Sequence, residues 1–426
     1  MRAFSFVHAA DLHLDAAFQG FAGLPDSHGH VFETLRRATF EAFGNLIRLC
    51  LDERVDFLLV AGDVYNAADR SLRAQLAFRD GMRHLAEAGI RAYVAHGNHD
   101  PLDSRVHSVR LPDTVHVFGK TESSAVFEKE GEPVARIHGA SFPTRTVGKR
   151  FARKIQREGP EPFQIGLLHC TVGPHAGHEQ YVPRTLDELR RAGLDYWALG
   201  HVHTRSELSE RDPFVGYPGN LQGLHANETG PRGCFLVRVD EAGRMAPPEF
   251  VAVDAVRWSR RTLSIEGLPD IPALEQALGA LLDEEARGSD GRPVVVRIEL
   301  SGRGPLHGEL LRSGTAAALL ESTQRAGADL DPFVWPERVE VRTRPEVDLD
   351  RRRSGDDFVG ECLRLIQEYR GAGAGGREPL RACLDELFGH PRASRFLPDL
   401  TDDDLLELLD EVETLCVDRL VPAEEG

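Results

Sequence analysis

In the first half of the chain, apolar residues come in short, nearly unbroken runs at Phe4–Ala9, Asp56–Ala61, Arg91–His96, Gln164–Leu168 and Tyr196–Leu199. Runs of this length, rich in Val, Ile and Phe, read as strands. Between the early ones the apolar spacing becomes helical, over Phe32–Asp52 and Ser71–Ala88. Strand–helix alternation predicts an α/β sheet. From Thr114 to Ser141 and from Phe214 to Val239 the strands shorten and turns multiply. That change predicts a second, more antiparallel sheet packed on the first. Residues 1–257 therefore read as one domain of two packed β-sheets flanked by helices.

Past Arg257 the pattern resets. A strand (Arg260–Ile265), a helix (Ile271–Glu285), a strand (Pro293–Leu300), a helix (Leu306–Arg325) and a strand (Arg338–Arg342) predict a small α+β capping domain over 258–345. Pro345 and the run Arg351-Arg352-Arg353 mark a linker, which opens a segment, 346–426, of helices near Asp356–Arg370, Glu378–Phe388 and Asp402–Leu420. The GAGAGG stretch from Gly371 to Gly376 is a flexible joint. Thr401 and Asp404 form a capping-box-like start to the last helix. Leu405, Leu408, Leu409, Val412, Leu415 and Cys416 then make one apolar stripe, serving either packing within the chain or a partner.

A length of 426 residues with 41% hydrophobic content allows two or three globular domains. The opening MRAFSFVHAADLH has no signal-peptide h-region and the apolar runs are too short to span a bilayer, so a soluble cytoplasmic protein with no membrane role is expected. The six scattered cysteines form no C-x-x-C pair and read as buried free thiols. A net charge of −17 at first opposes a nucleic-acid substrate. Residues 354–426, however, hold 18 acidic and 7 basic side chains, so most of the acidity sits in the tail. The densest basic cluster, Lys149, Arg150, Arg153, Lys154 and Arg157, is either a solvated helix face or a track for a DNA backbone.

The chemistry lies at the strand ends. Asp11 and His13 follow the first strand, Asp63 the second, and Asn98, His99 and Asp100 the third; His169 closes a fourth, and His201 and His203 follow a fifth. Ligands bind at the carboxyl edge of α/β sheets. Seven metal-competent side chains there (Asp11, His13, Asp63, Asn98, His169, His201 and His203) are too many for one ion and suit two divalent ions. The His, Asp and Asn mixture favours Mn²⁺, with Fe or Zn²⁺ as alternatives. His8, His96, His138 and His225 read as core or supporting histidines, and His175 and His178 as loop histidines or groove lining.

In this order, D-x-H, G-D, G-N-H-D, a strand-end His and G-H-x-H resemble the calcineurin-type metallophosphoesterase superfamily. The resemblance implies an αββα sandwich. It implies Asp11, His13, Asp63 and His203 around one ion, and Asp63 as bridge with Asn98, His169 and His201 around the other. His99 takes the place of the catalytic histidine that contacts phosphate and protonates the leaving oxygen. The stretches Asp69–Gln75 and Tyr217–Cys234 are similar to bacterial YhaO-type proteins, relatives of the nuclease subunit SbcD. That similarity implies a metal-dependent DNA nuclease, an exonuclease in DNA repair. It also implies an SbcC/YhaN-like coiled-coil ABC ATPase docked on the C-terminal helices, and it leaves a homodimer open. A phosphatase or small phosphodiesterase, or a structural ATPase subunit, are the competing readings. Asn66 stands where the relatives have His or Asp, and is expected to orient His99 without exchanging a proton. Asp100 is expected to shape its own turn, with a second bond to a histidine.

Overall fold

The structure, a computed structural model, describes residues 1–18, 29–68, 71–104, 108–148, 151–173, 184–373, 377–388 and 401–420. The chain begins β1 (Phe4–Ala9), α1 (Gly29–Asp52), β2 (Phe57–Ala61), α2 (Leu72–Glu87), β3 (Arg91–Ala95), β4 (Val115–Val117), β5 (Ser123–Lys129) and β6 (Glu132–Gly139). It continues with β7 (Phe163–His169), α3 (Leu186–Arg191), β8 (Tyr196–Gly200), β9 (Ser206–Ser209), β10 (Phe214–Tyr217), β11 (Gly233–Val239) and β12 (Glu249–Ala252). After these come β13 (Arg257–Ser264), α4 (Ile271–Gly288), β14 (Val294–Ser301), α5 (His307–Leu310), α6 (Thr315–Ala328) and β15 (Val334–Val341). The last helices are α7 (Leu349–Arg353), α8 (Phe358–Gly371), α9 (Glu378–Phe388) and α10 (Asp402–Leu420).

Three sheets form, ordered β12-β11-β1-β2-β3-β4, β5-β6-β7-β8-β10-β9 and β13-β14-β15. The first two make the sandwich. Side chains alternate across a strand, and here both faces are apolar. On β2, Phe57, Leu59 and Ala61 point into the core between the sheets, while Leu58 and Val60 point to the core under α1 and α2. On β8, Tyr196 and Ala198 face the inter-sheet core, while Trp197 and Leu199 face the outer one. This double burial is why these strands read as unbroken apolar runs. The inter-sheet core is largely aromatic: Phe6 and Phe57 stack at 5.1 Å, and Tyr196 meets Phe6 edge-on at 5.2 Å.

Several expectations need correction. The second sheet is parallel at its centre, through β6, β7, β8 and β10, and antiparallel only at its edges, β5 and β9. Apolar runs reveal burial and not sheet membership, and β11 from the same turn-rich region joins the first sheet beside β1. The helix expected over Leu306–Arg325 is two helices, with Gly314 at φ +88° between them. The Arg351-Arg352-Arg353 run is helix α7 and not a linker, because the Asp348 carboxylate caps the Arg351 N–H. Cys50, Cys170 and Cys234 are buried as expected, but Cys383 is exposed.

The chain divides into two compact units. One comprises Met1–Arg261, Gly279–Ile298 and Leu320–Arg338; the other comprises Thr262–Leu278, Glu299–Leu319 and the chain from Val339 onward. The segment 258–345 thus contributes to both. In the first unit Trp258, Val295, Phe333 and Trp335 share a core with Val31, Leu35 and Ala38 of α1. In the second, α8 and α10 pack through Val359, Leu363 and Val417, and Arg370 pairs with Asp410 and Glu413 at 2.5 and 2.6 Å. The α10 stripe splits in two: Leu405 and Leu409 are buried, whereas Leu408, Val412 and Leu415 are exposed. Among the described residues no helix is long and apolar enough to cross a membrane.

Phe57→Ala would empty the middle of the inter-sheet stack, where the ring also meets Tyr93 edge-on at 5.6 Å. Loss of a buried Phe costs about 3–5 kcal/mol. Urea denaturation followed by circular dichroism should show it, and a loss below about 1 kcal/mol would mean the sheets do not pack through this ring.

Candidate metal centre

The carboxyl ends of β1, β2 and β3 from one sheet and of β7 and β8 from the other converge on a single cluster. The loops beyond the strands keep the parallel pairing: Asp11 N–H donates to Gly62 O at 3.1 Å, His13 N–H to Asp63 O at 3.0 Å and Leu14 N–H to Val64 O at 3.0 Å. Turning side chains inward from this zipper needs unusual backbone. Asp11, His13, Asp63 and His201 all have positive φ, at 51°, 42°, 51° and 103°. Such non-glycine conformations each cost on the order of 1–3 kcal/mol and concentrate at functional sites.

Glycines supply the close approach. A Cβ at Gly97 would lie 2.3 Å from Asp63 Oδ1 and 2.8 Å from His169 Nε2, and one at Gly200 would meet Ala61 O at 1.8 Å. The glycines of G-N-H-D and G-H-x-H are therefore required by what lies against them.

All seven residues named from the sequence lie in this cluster. His169 Nε2 is 3.3 Å from Asp63 Oδ2 and 3.0 Å from Asn98 Oδ1, and His13 Nε2 is 3.9 Å from Asp63 Oδ2 and 3.2 Å from His203 Nε2. The His201 N–H donates to Asp11 Oδ2 at 3.0 Å, and its ring lies 5.1 Å from that of His169. Two sets of potential ligands emerge, Asp11, His13 and His203, and Asp11, Asp63 and His169. Asp63 lies between His13 and His169.

Whether a cation fits is decided by the outer nitrogens. His13 Nδ1 faces Asn66 Oδ1 at 2.8 Å, His169 Nδ1 faces Ala61 O at 2.9 Å, and His203 Nδ1 faces Glu228 Oε1 at 2.6 Å. Each of these oxygens accepts, so each Nδ1 carries the hydrogen and each Nε2 turns a lone pair inward. The centre thus gathers acceptors: three imidazole lone pairs, two carboxylates and an amide oxygen. Only cations or protons make such a set stable, and the residues fit divalent metal. In their absence, burial pushes the Asp11 carboxyl up to about 6 and the His13 imidazole down to about 4. Burial opposes a proton on His169 too, yet the Asp63 carboxylate lifts its pKa to about 9. A metal would supply that positive charge.

His99 differs from its neighbours. It is exposed, beside buried Asn98 and Asp100. Its backbone N–H donates to Asp63 Oδ1 at 2.9 Å, and its ring sits 5.2 Å from that of His13 at the solvent side. Asn66 does not orient it. The amide oxygen is spent on His13, because the loop after β2 runs beside the loop after β1. Asp100 is fully buried and accepts from the Val64 and Gly97 N–H groups at 2.9 and 2.8 Å and faces His96 Nδ1 at 2.7 Å, so it ties two ligand loops together. Its histidine is thus His96, which is none of the seven. His8 is a core histidine between Tyr196 and Leu199, as expected. Of the basic cluster, Arg153 pairs with Glu188 at 3.3 Å and lies with Lys154 in a turn and not on a helix; Lys154 is exposed. Lys149 and Arg150, like His175, His178, Asp69 and Arg70, fall outside the described residues. Sequence reading missed Glu228 and Asn220 as parts of the site; both stand in the Tyr217–Cys234 stretch singled out only for resemblance.

Residues 4–205 match the calcineurin-like phosphoesterase family, and residues 258–344 match the middle domain of metallophosphoesterase YhaO. The chain is 35% identical over 416 residues to the uncharacterized metallophosphoesterase YhaO of Bacillus subtilis, with 96% of each chain covered. It is 26% identical over 287 residues to the DNA double-strand break repair protein Mre11 of Methanopyrus kandleri, covering 61% of this chain and 58% of that one. Against the Mre11 of Aeropyrum pernix the identity is 25% over 252 residues, covering 56% and 58%.

Gly97→Ala should abolish Mn²⁺ binding measured by calorimetry while circular dichroism stays native, because its methyl group displaces Asp63 and His169 together. Gly44→Ala, on α1 where a Cβ meets nothing within 4 Å, is the control and should bind as wild type. Equal binding by both variants would remove Gly97 from the site.

Proposed function

Because the chain belongs to the YhaO family of calcineurin-like metallophosphoesterases, which hydrolyse phosphoesters, we propose that it is a metal-dependent DNA nuclease with two ions. The observation that carries this reading is the pairing of a buried, all-acceptor pocket with one exposed histidine at its mouth. Similarity to archaeal proteins named for DNA double-strand break repair, extending over 61% of the chain, supports DNA over a small phosphate ester.

Asp11, His13 and His203 would hold one ion and Asn98, His169 and His201 the other, with Asp63 between. Divalent ions held there would supply the positive charge that a phosphodiester needs and the acidity that activates water. The protein's own residues do the rest. The Asp63 carboxylate fixes the His99 backbone, which leaves the imidazole free at the rim to reach a phosphate and protonate the departing oxygen. Asp100 keeps the loops of Asp63 and Asn98 in register.

The partner follows from the second unit. The exposed row of Leu408, Val412 and Leu415 on acidic α10 supports docking of a coiled-coil ATPase with a basic rim. Val412→Glu should abolish co-elution with a co-expressed ATPase of that kind in gel filtration. It should leave cleavage of short single strands unchanged; a complex that survives this charge sinks the docking site.

His99→Ala should keep its metal, measured by mass spectrometry of the digested protein, and lose about 10²–10⁴ in the rate of Mn²⁺-dependent release from end-labelled DNA. Loss of metal would make His99 a ligand instead. Wild-type activity confined to phosphate monoesters would end the nuclease reading.

A further inference from the structure

We propose that Glu228 is a positioning residue for one half of the centre. It locks His203 in the tautomer that turns Nε2 inward, so an ion held by Asp11, His13 and His203 depends on it, while one held through Asp63, Asn98, His169 and His201 does not. The proposal rests on the metal reading of the site and not on the identity of the substrate.

Glu228 is buried, and both oxygens of its carboxylate are engaged. Oε1 accepts from His203 Nδ1 at 2.6 Å and lies 3.3 Å from His225 Nε2. Oε2 accepts from Asn220 Nδ2 at 3.0 Å and from the Leu224 N–H at 2.7 Å. Three hydrogen bonds, shared between the two oxygens, hold the carboxylate against rotation away from His203. Being ionised, it only accepts. The hydrogen of His203 is therefore fixed on Nδ1.

The imidazoles of His13 and His169 are held differently. His13 leans on the amide oxygen of Asn66 and His169 on the backbone carbonyl of Ala61, both neutral. Of the three acceptors Glu228 alone is an anion, and a carboxylate behind an imidazole makes the ring a stronger metal donor. The carboxylate behind His203 thus sets it apart from His13 and His169. The arrangement is reinforced from behind: the Arg232 guanidinium donates to Asn220 Oδ1 at 3.2 Å and also to the His203 carbonyl, so one buried chain grips both the backbone and the ring of His203. Every member of that chain comes from the loop between β10 and β11, outside the motifs that supply the ligands.

The test is calorimetric titration of the full-length, metal-stripped chain with Mn²⁺, for wild type, Glu228→Ala and Glu228→Gln. Wild type should take up two ions. Glu228→Ala should weaken one of them by about 10–100-fold and leave the other unchanged. Glu228→Gln keeps the volume and an accepting oxygen, should weaken the same ion by less, and carries the test if the alanine variant does not fold. A merely structural role would lower the melting temperature of the metal-free chain without separating the two ions. Uptake of both ions as in wild type by the variants, or equal weakening of both, overturns the proposal. A wild-type chain that binds no Mn²⁺ overturns it together with the metal reading, and that result is distinct from the other two.

Discussion

Two carboxylates, three inward lone pairs and an amide oxygen, packed within hydrogen-bond reach and largely out of water, repel one another. Burying each charge costs several kcal/mol, recovered only when opposite charge is placed among them. The domain is organised around tolerating this crowd. The ligand loops are zipped to each other by main-chain bonds, Asp100 crosslinks two of them, and four of the seven residues accept positive φ. The strands that carry these loops are held by the aromatic stack between the sheets.

Behind the cluster, the imidazoles of His13, His169 and His203 are each oriented by a different acceptor. An amide, a peptide carbonyl and a carboxylate all set the same tautomer, yet they differ in charge and so in what they do to the donor strength of the ring. Uniform residue types in the inner ring thus conceal an asymmetry imposed from the second. Exposure follows a gradient across the same cluster, from His169 in the interior to His99 at the rim. That gradient leaves His99 as the exposed imidazole beside a buried cluster.

The second unit shows the same economy on a surface. One helix, α10, uses Leu405 and Leu409 to build a core with its own chain and leaves Leu408 and Val412 outward. A helix repeats every 3.6 residues, so a broad apolar stripe can serve two directions at once. Packing inside the chain therefore uses only part of the stripe and leaves Leu408, Val412 and Leu415 exposed.

The sequence by itself determined which residues gather. Strand-end Asp, Asn and His residues in a fixed order named the seven members of the cluster, because carboxyl ends of parallel strands share one edge whatever the loops do. Double burial made the strands legible, and Thr401 with Asp404 marked the start of the last helix. Sheet membership was not legible: β11 and β7 carry the same apolar signal but pair in different sheets, and pairing is decided by contacts distant in sequence. Nor was the target of Asn66. Three residues past Asp63 the side chain was expected to serve His99, and only the parallel run of the loops after β1 and β2 delivers it to His13. Glu228 was invisible for the same reason. A glutamate in a turn-rich stretch has no periodicity to betray it, and only the fold brings its carboxylate to 2.6 Å from an imidazole 25 residues away. Ligand identity is local chemistry written on strand ends, whereas orientation, tautomer and solvent access are relations between distant segments, and those exist only once the two sheets have closed on each other.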